Sequence, residues 1–460
     1  MRYLVIGFFL IALSLCLSCE SFVSLDPPAT QTSTQIVFSN ESTATSVVVG
    51  NYIDMFNKGA LTGISVTNGL YADELRLHSQ VELVEYYNNA LTSQNPSVLG
   101  LWSELFSYVY SANSIIEGLE KASGFDLSVK RQLIGEAHFI RALSNFYLVN
   151  YWGRVPLVTT IDYRINLNLH KVDVSMVYSS VVQDLVVAEE LLYDDYSFFN
   201  GDRGRPNVWA AKALLARVYL YLGDWSNAEK YATEIINRAD LFNLADDLDD
   251  VFLVNSKEAI WQLKSVYDMG VNTTDGETFI LSAVPSRFSL SPTFVDDFDE
   301  GDQRKVKWVG VYEESGLRYY YPYKYKIKSG VPMPPITEAL VIFRLAEQYL
   351  IRAESRANLS NFQGAVADLD ILRKRAGVDL LVDSGVLDDT ADLLKLIYRE
   401  RKFELFTEFG HRWFDLKRSG ESVDILSQIK GTYQKTDDLY PIPLNELNAD
   451  PKLNPQNDGY

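Results

Sequence analysis

The sequence predicts a mainly α-helical protein built from tetratricopeptide-like helix pairs, with an irregular insert of loops and short strands. One stretch, 206–237, has the pattern of two helices joined by a tight turn. Apolar residues recur at helical spacing in several further segments on both sides of it. Between residues 241 and 335 this period fades, and Asp, Gly, Pro and aromatic residues dominate.

The helix pair at 206–237 has recognisable start and stop signals. Asn207 is a candidate N-cap before an apolar run, and Gly223 ends that run as the residue that best tolerates a left-handed backbone. The tetratricopeptide spacing is carried by Leu215, Ala216, Tyr219, Gly223, Trp225 and Ala228. A single pair of this kind cannot bury its apolar face, so the pattern predicts stacked neighbours.

Further helices are predicted before and after this pair. They span residues 45–56, 98–121, 131–150, 175–192, 339–358, 362–376 and 392–409. In the segment 131–150, His138, Arg141 and Asn145 form one polar stripe, which we interpret as satisfied by internal hydrogen bonds. The segment 241–335 is the insert, and residues 19–460 are predicted to form one domain.

The N-terminus has the pattern of a secretory signal. Arg2 precedes a short apolar segment that ends in Leu17, Ser18 and Cys19. This ending resembles the lipobox of bacterial lipoproteins and predicts a signal peptide at 1–18, with Cys19 lipidated. An ordinary cleaved signal is the alternative. The sequence holds two cysteines, Cys16 and Cys19, so the predicted mature chain has no internal disulfide.

Charge and motifs exclude several functions. The formal net charge of −19 argues against tracking of nucleic-acid phosphates. The sequence has no H-E-x-x-H, phosphate-loop or G-x-S-x-G motif, so we expect no enzyme, no catalytic residue and no cofactor. An irregular calcium site at 246–250 or 296–302 stays open as an alternative, because both segments are rich in aspartate.

Several segments, in order along nearly the whole chain, together resemble the SusD/RagB family of outer-membrane lipoproteins of Bacteroidetes. They are the lipobox with SFVSLDPPATQTS, GEAHFIRALSNFYLVNYWGRVPL, ALLARVYLYLGDWSNAEKYATEII, FVDDFDEGDQRK, RLAEQYLIRAESRA, RERKFELFTEFGHRWFDLKRSG and LYPIPLNELNADPKLNPQNDGY. The resemblance implies a SusD-like helical body and a surface-exposed nutrient-binding protein of the outer membrane. It also implies a SusC-like TonB-dependent transporter as partner.

Sugar recognition requires flat apolar faces for pyranose rings and polar groups for their hydroxyls. Two regions supply both, and the family places ligand contacts in corresponding regions. The predicted ligand-binding residues are Asp73, Arg76, Tyr86 and Asn89 in the first region and Tyr267, Trp308, Tyr312 and Tyr319 in the insert. For each aromatic residue, packing in the core is the alternative.

A second motif-like cluster lies near the C-terminus. It consists of Glu400, Arg401, Glu404, Arg412, Trp413 and Asp415. We interpret it as a charge-paired helix end that holds the C-terminal turn on the scaffold, and not as a ligand site.

The sequence therefore predicts capture of an oligosaccharide without chemistry and its delivery to the transporter. Three alternatives remain: binding of peptides by the same scaffold, a helical surface glycosidase, and a tetratricopeptide adaptor with only protein partners.

The sequence also sets an expectation for one residue. If Trp308 stacks on the ligand, Trp308→Ala weakens binding and leaves the melting temperature nearly unchanged. Titration calorimetry and thermal melting check this together, and a large loss of stability would place Trp308 in the core.

Overall fold

The computed structural model describes residues 37–58, 60–79, 81–265, 271–329, 335–384 and 389–460. The predicted signal peptide at 1–18 and the predicted lipidation site Cys19 lie outside these residues. Within them, no helix is both long enough and apolar enough to cross a membrane.

The scaffold is a set of packed helices, as the sequence predicts. Its N-terminal half consists of α1 (Glu41–Asn57), α2 (Ala60–Tyr71), α3 (Val81–Tyr87), α4 (Pro96–Lys121), α5 (Leu127–Trp152), the short α6 (Tyr163–Asn166), α7 (Val174–Leu191), α8 (Val208–Leu222) and α9 (Trp225–Ile236). Helix α5 packs between α4 and α7, and α8 packs against α7 and α9. Seventeen residues of α5 are buried, which explains why its sequence is apolar nearly all round.

The predicted helix pair is confirmed as α8 and α9. Asn207 caps α8 by accepting hydrogen bonds from the backbone amides of Trp209 (3.0 Å) and Ala210 (3.2 Å). Gly223 ends the helix with a φ of +71°, in the left-handed region. Tyr219 and Tyr231 stack between the two helices with ring centroids 5.7 Å apart.

The insert and two strands outside it form the short helices and strands of the structure. These elements are β1 (Leu75–Leu77), β2 (Ala259–Leu263), α10 (Thr274–Phe279), β3 (Phe288–Leu290), α11 (Pro292–Asp296), α12 (Gln303–Trp308), β4 (Val309–Glu314), β5 (Leu317–Pro322) and β6 (Leu340–Arg344), with β1 preceding the insert and β6 following it. The strands pair antiparallel as β1 with β3, β2 with β6 and β4 with β5.

The C-terminal part returns to helices. These are α13 (Leu345–Asn358), α14 (Phe362–Ala376), α15 (Thr390–Glu404), α16 (His411–Ser419), α17 (Ser422–Lys430) and α18 (Leu444–Ala449). Helix α13 packs against α9, α14 and α15. The helical stack therefore continues across the insert, since α9 and α13 lie on opposite sides of it in the sequence.

Two predicted helix boundaries are wrong by five residues or more. Residues 340–344 form a strand and not the start of a helix, because this wholly buried Leu-Val-Ile-Phe-Arg run pairs with β2. The last long helix ends at Glu404 and not at residue 409. After Glu404 the chain turns, with positive φ angles at Thr407, Phe409 and Gly410.

Buried charges connect the insert to the helices. Glu404 is 0% exposed, and its carboxylate contacts the guanidinium groups of Arg344 (2.6 Å), Arg375 (2.6 Å) and Arg304 (3.4 Å). Arg344 also reaches Glu408 (2.8 Å) and Glu258 (3.1 Å). We call these six residues the carboxylate–arginine network. Because every charge in it is paired, the desolvation cost of burying each one is offset.

The C-terminal cluster predicted to be structural is confirmed as such. Arg401 contacts Asp415 (2.7 Å), Arg412 contacts Asp73 (2.8 Å), and Trp413 is 0% exposed. The polar stripe on α5 is satisfied in part: His138 (2.8 Å) and Arg141 (2.6 Å) both contact Asp184, whereas the Oδ1 atom of Asn145 is buried without a hydrogen-bond partner.

The carboxylate–arginine network predicts a large stability loss in Glu404→Gln. Removing this charge takes one partner each from Arg344 and Arg375 and leaves the buried network one negative charge short, which costs about 3–5 kcal/mol in the free energy of unfolding. Urea denaturation measures this loss. The control is Glu120→Gln on the exposed side of α4, which we expect to change stability by about 0.5 kcal/mol or less.

The stability difference between wild type and Glu404→Gln depends on pH. Burial raises the pKa of Glu404, but Arg375, Arg344 and Arg304 lower it more, so it lies well below the ordinary 4.5. A carboxylate whose pKa is lowered in the folded state stabilises the fold fully above pH 4.5, its ordinary pKa. This contribution is lost progressively as the pH falls from 4.5 toward the lowered pKa. The difference between wild type and Glu404→Gln should therefore narrow below pH 4.5. A difference that stays constant down to pH 3 would contradict this electrostatic role.

Candidate functional site

The β4–β5 hairpin presents tyrosines on one face. Tyr312 lies directly opposite Tyr319, and Gly310 lies opposite Tyr321. Since side chains alternate between the faces of a strand, Tyr312, Tyr319 and Tyr321 share one face, which we call the tyrosine face. Each of the three is half-buried, so part of each side chain is open to solvent.

The hairpin geometry fixes the positions of these rings. Its turn places Ser315 and Gly316 at φ angles of +52° and +80°, as in the turn type that suits two-residue hairpin loops. A Cβ on Gly310 would stand 2.2 Å from the ring of Tyr321. The ring therefore lies directly on the backbone of strand β4, and any residue larger than glycine would displace it.

A polar strip borders the tyrosine face. Strands β1 and β3 pair Arg76 with Ser289, and the His78 ring contacts the Ser289 hydroxyl through Nε2 at 2.8 Å. The same ring meets Tyr319 edge-on, with centroids 5.7 Å apart. Burial and the nearby Arg76 charge lower the pKa of His78, which favours a neutral imidazole at pH 7. Arg76 is exposed. Ser289 is 4% exposed and its hydroxyl is engaged by His78 and the Leu290 carbonyl, so the strip offers a ligand one guanidinium and one imidazole beside the aromatic rings.

A cleft of about 610 Å³ lies beside this strip. The two share an edge at Arg287, which lines the cleft and whose carbonyl accepts a hydrogen bond from the His78 amide (2.8 Å). The apolar part of its lining comes from Phe56, Ile64, Val66, Leu83, Leu101 and Val271. The polar part comes from Lys58, Thr62, Thr67, Glu82, Glu104, Thr274, Glu277 and Thr278. Mixed apolar and hydrogen-bonding walls of this kind suit a ligand with both kinds of surface.

Two carboxyl groups at the cleft have raised pKa values. Burial raises the pKa of Glu104, which accepts a hydrogen bond from the Tyr108 hydroxyl at 2.5 Å. Burial also raises the pKa of Asp275 to about 7, and Thr62 on the cleft wall donates to it at 2.6 Å. Burial is the main cause of both raised pKa values, and the hydrogen bonds from Tyr108 and Thr62 oppose it, so neither shift requires a catalytic role.

Three of the predicted ligand-binding residues come together in this site: Arg76, Tyr312 and Tyr319. The hydroxyl of Tyr312 is held by Glu314 at 2.7 Å, and Tyr319 is held by His78. Their shared location follows from the packing of β3 against β5.

Three other predicted ligand-binding residues are buried and make contacts within the protein. Trp308 is 0% exposed and donates its indole N–H to the Leu248 carbonyl at 3.0 Å, so neither ring face is open to a ligand. Asp73 is buried in a two-pronged pair with Arg412 (2.8 and 2.9 Å). Asn89 is buried with a φ of +52°, and its side chain donates to the Tyr71 carbonyl at 2.8 Å. These three residues therefore do not belong to the candidate site.

The last two predicted ligand-binding residues are Tyr86 and Tyr267. Tyr86 is 1% exposed and packs edge-on against Tyr71 and Tyr440, so it meets the cleft only with the margin of its ring. It belongs to the core and is not a stacking platform. Tyr267 lies outside the described residues.

Sequence reasoning missed His78, Ser289 and Tyr321. The alternation of tyrosines from 319 to 325 was a signal for the strand that carries Tyr321. No local pattern signalled His78 and Ser289, because their contact depends on pairing between strands more than 200 residues apart.

The acidic loops considered for calcium are engaged in other contacts. Asp249 pairs with Lys307 (2.7 Å) and Lys326 (3.0 Å), and Asp302 pairs with Arg304 (2.8 Å). In the part of the chain that the structure describes, no group of three or more His, Cys, Asp or Glu side chains is arranged to hold a metal ion.

Comparisons with known proteins agree with this fold. Two family models match: one described as the SusD family over residues 311–460, and one described as "Starch-binding associating with outer membrane" over residues 22–220. A SusD-like protein of Formosa agariphila is 25% identical, with 97% of each chain covered. A SusD-like protein of Bacteroides ovatus is also 25% identical, over 74% of this chain and 69% of the relative.

Solved structures share the architecture. A SusD superfamily protein of Bacteroides vulgatus matches with a TM-score of 0.79 at 20% identity, covering 92% of this chain and 100% of that one. A structure named as a laminarin-binding SusD-like protein matches with a TM-score of 0.76 at 24% identity, with the same coverage. The fold is thus that of the SusD superfamily. The family models and the curated relatives agree that this chain is similar to the SusD/RagB family.

The placement of Trp308 reverses the expectation drawn from the sequence alone. Trp308→Ala should leave a large cavity and lower the free energy of unfolding by about 3–5 kcal/mol. Tyr319→Ala should cost about 1 kcal/mol or less, because a half-exposed cross-strand pair contributes little. Urea denaturation of both variants checks this contrast, and equal losses would contradict the assignment of Tyr319 to a surface platform.

Proposed function

We propose that this protein binds an oligosaccharide on the tyrosine face and the adjoining cleft, without chemistry and without a cofactor. The observation that carries the proposal is the joining of three tyrosine rings, one exposed guanidinium and a mixed cleft in one continuous surface. A pyranose ring has an apolar C–H face that packs on tyrosine rings. Its hydroxyls both donate and accept hydrogen bonds, so they match Arg76, His78 and the tyrosine hydroxyls.

The comparisons support a glycan as the ligand. One family model is described as starch-binding, one structural neighbour is named as laminarin-binding, and another is named as a surface glycan-binding protein of Bacteroides fluxus. These names concern different glycans, so the family relation supports the class of ligand and leaves its identity to be measured.

We also propose where the protein acts. It is anchored to the outer membrane by lipid on Cys19, faces the outside of the cell and delivers its ligand to a SusC-like TonB-dependent transporter. The N-terminal sequence and the family description that mentions the outer membrane support this proposal. Two experiments test it. Radiolabelled palmitate should be incorporated into the wild type and not into Cys19→Ala, and a SusC-like protein should co-purify with the tagged wild type from its native membrane.

Titration calorimetry against a panel of oligosaccharides tests the binding site. We expect Tyr319→Ala to weaken binding of the best ligand about tenfold, because stacking of one sugar ring contributes about 1.4 kcal/mol. The matched control is Tyr110→Ala, which removes an exposed tyrosine from α4 and should leave the affinity unchanged.

Two outcomes would contradict this proposal. Equal affinities of wild type and Tyr319→Ala would move the site away from the hairpin. Binding of peptides and of no oligosaccharide would replace the ligand class while keeping the scaffold.

A further inference from the structure

Arg76 differs from the other arginines of this protein in its contacts. Among the arginines of the described residues, it alone has no ion pair, hydrogen bond or aromatic contact through its side chain. It is exposed on strand β1, beside the tyrosine face. The chain has 61 acidic and 42 basic residues, so carboxylates are in excess. An arginine without one at a candidate site therefore points to a partner outside the chain.

Strands β1 and β3 gather positive charge around Arg76. Arg76 lies opposite Ser289, and the pairing continues past β1, because the His78 amide donates to the Arg287 carbonyl at 2.8 Å. Side chains two residues apart on a strand share a face, so Arg76 and His78 point the same way. The exposed Arg287 follows in register opposite His78. Two guanidinium groups and one imidazole therefore meet here, with no carboxylate at any of the four positions.

This local charge counts for more than the charge of the whole chain. Like charges at neighbouring strand positions repel each other, and burial together with the Arg76 charge lowers the pKa of His78. At physiological ionic strength, exposed charges more than about 8 Å apart are largely screened from each other. The polar strip therefore favours an anion, although the formal net charge of the protein is −19.

A guanidinium group is best satisfied by an oxyanion. Its N–H donors lie in one plane and match two oxygens of a carboxylate or of a sulfate ester. The protein uses this pairing itself, since Arg412 holds both carboxylate oxygens of Asp73, at 2.8 and 2.9 Å. A sugar hydroxyl, in contrast, has a single oxygen and brings no charge.

The adjoining cleft has the opposite character. Glu82 and Glu277 line it. Lys58 also lines it and is already paired with Asp54 at 2.6 Å. An acidic group on the ligand is thus repelled from the cleft and attracted to the polar strip. A ligand that lies across both places its charge beside Arg76 and its neutral sugar units in the cleft.

We propose that the oligosaccharide bound by this protein is acidic. It carries carboxylate or sulfate ester groups, and one of them pairs with Arg76 while a neighbouring sugar ring lies on the tyrosine face. The inference rests on the proposed function, because it names the class of oligosaccharide that the same site takes. It adds that the site selects its ligand by charge as well as by the shape of the sugar.

Titration calorimetry with the full protein tests this charge selection. The panel of oligosaccharides includes neutral, uronate-containing and sulfated members, and we expect the best ligand to be one of the acidic ones. Carboxyl reduction or desulfation converts that ligand into its neutral counterpart, and the treatment that weakens binding identifies the acidic group. The loss should be about fivefold, which is the contribution of an exposed ion pair with good geometry.

Two variants separate a direct contact from a general effect of charge. In Arg76→Gln, the acidic ligand and its neutral counterpart should bind about equally. Arg318→Gln is the matched control, because Arg318 is also an exposed strand arginine but pairs with Glu313 on the opposite face of the hairpin from the tyrosine face. In this control the fivefold difference between the two ligands should remain.

Three results would overturn the inference. A neutral best ligand would do so, while the proposed function would stand. A preference for the acidic ligand that survives in Arg76→Gln would place the acidic group elsewhere. An equal loss of this preference in Arg76→Gln and Arg318→Gln would reduce it to a general effect of charge. Binding of no oligosaccharide at all would contradict the proposed function itself, and the inference with it.

Discussion

The pairing of buried carboxylates with arginines, centred on Glu404 and Arg344, is the constraint on which the rest of this structure depends. These groups are withdrawn from water and are stable there only because each finds an opposite charge. The partners come from separate parts of the chain: Arg304 from the insert, Arg344 from strand β6 and Arg375 from helix α14. A single set of contacts therefore fixes the insert relative to the helical stack.

The position of the proposed glycan site depends on these contacts. Arg304 lies on α12, just before strand β4, and Lys324 lies just after strand β5. Arg304 contacts the Glu404 carboxylate, and Lys324 donates to the Glu404 carbonyl at 2.8 Å. Both ends of the tyrosine hairpin are thus held at one residue of α15. The tyrosine face projects from a base that cannot shift without separating buried charges, so its rings are presented ready for a ligand.

The helical part of the fold was predictable from local pattern, and the site was only partly so. Asn207 and Gly223 bounded α8 correctly because caps act within one turn of a helix. Trp308 was assigned to the ligand because sequence alone does not distinguish a surface aromatic from a buried one, and its burial depends on Leu248, sixty residues away. Arg76, Tyr312 and Tyr319 were found by residue type. Their companions His78 and Ser289 are brought to them by the pairing of β1 with β3.

A crystal structure of the protein with the oligosaccharide that it binds best tests the central claim most directly. The sugar should lie with a ring face against Tyr312, Tyr319 or Tyr321 and with hydroxyls within hydrogen-bonding distance of Arg76 or His78. Density for the sugar on the outer faces of α8 and α9, with the tyrosine hairpin unoccupied, would contradict it.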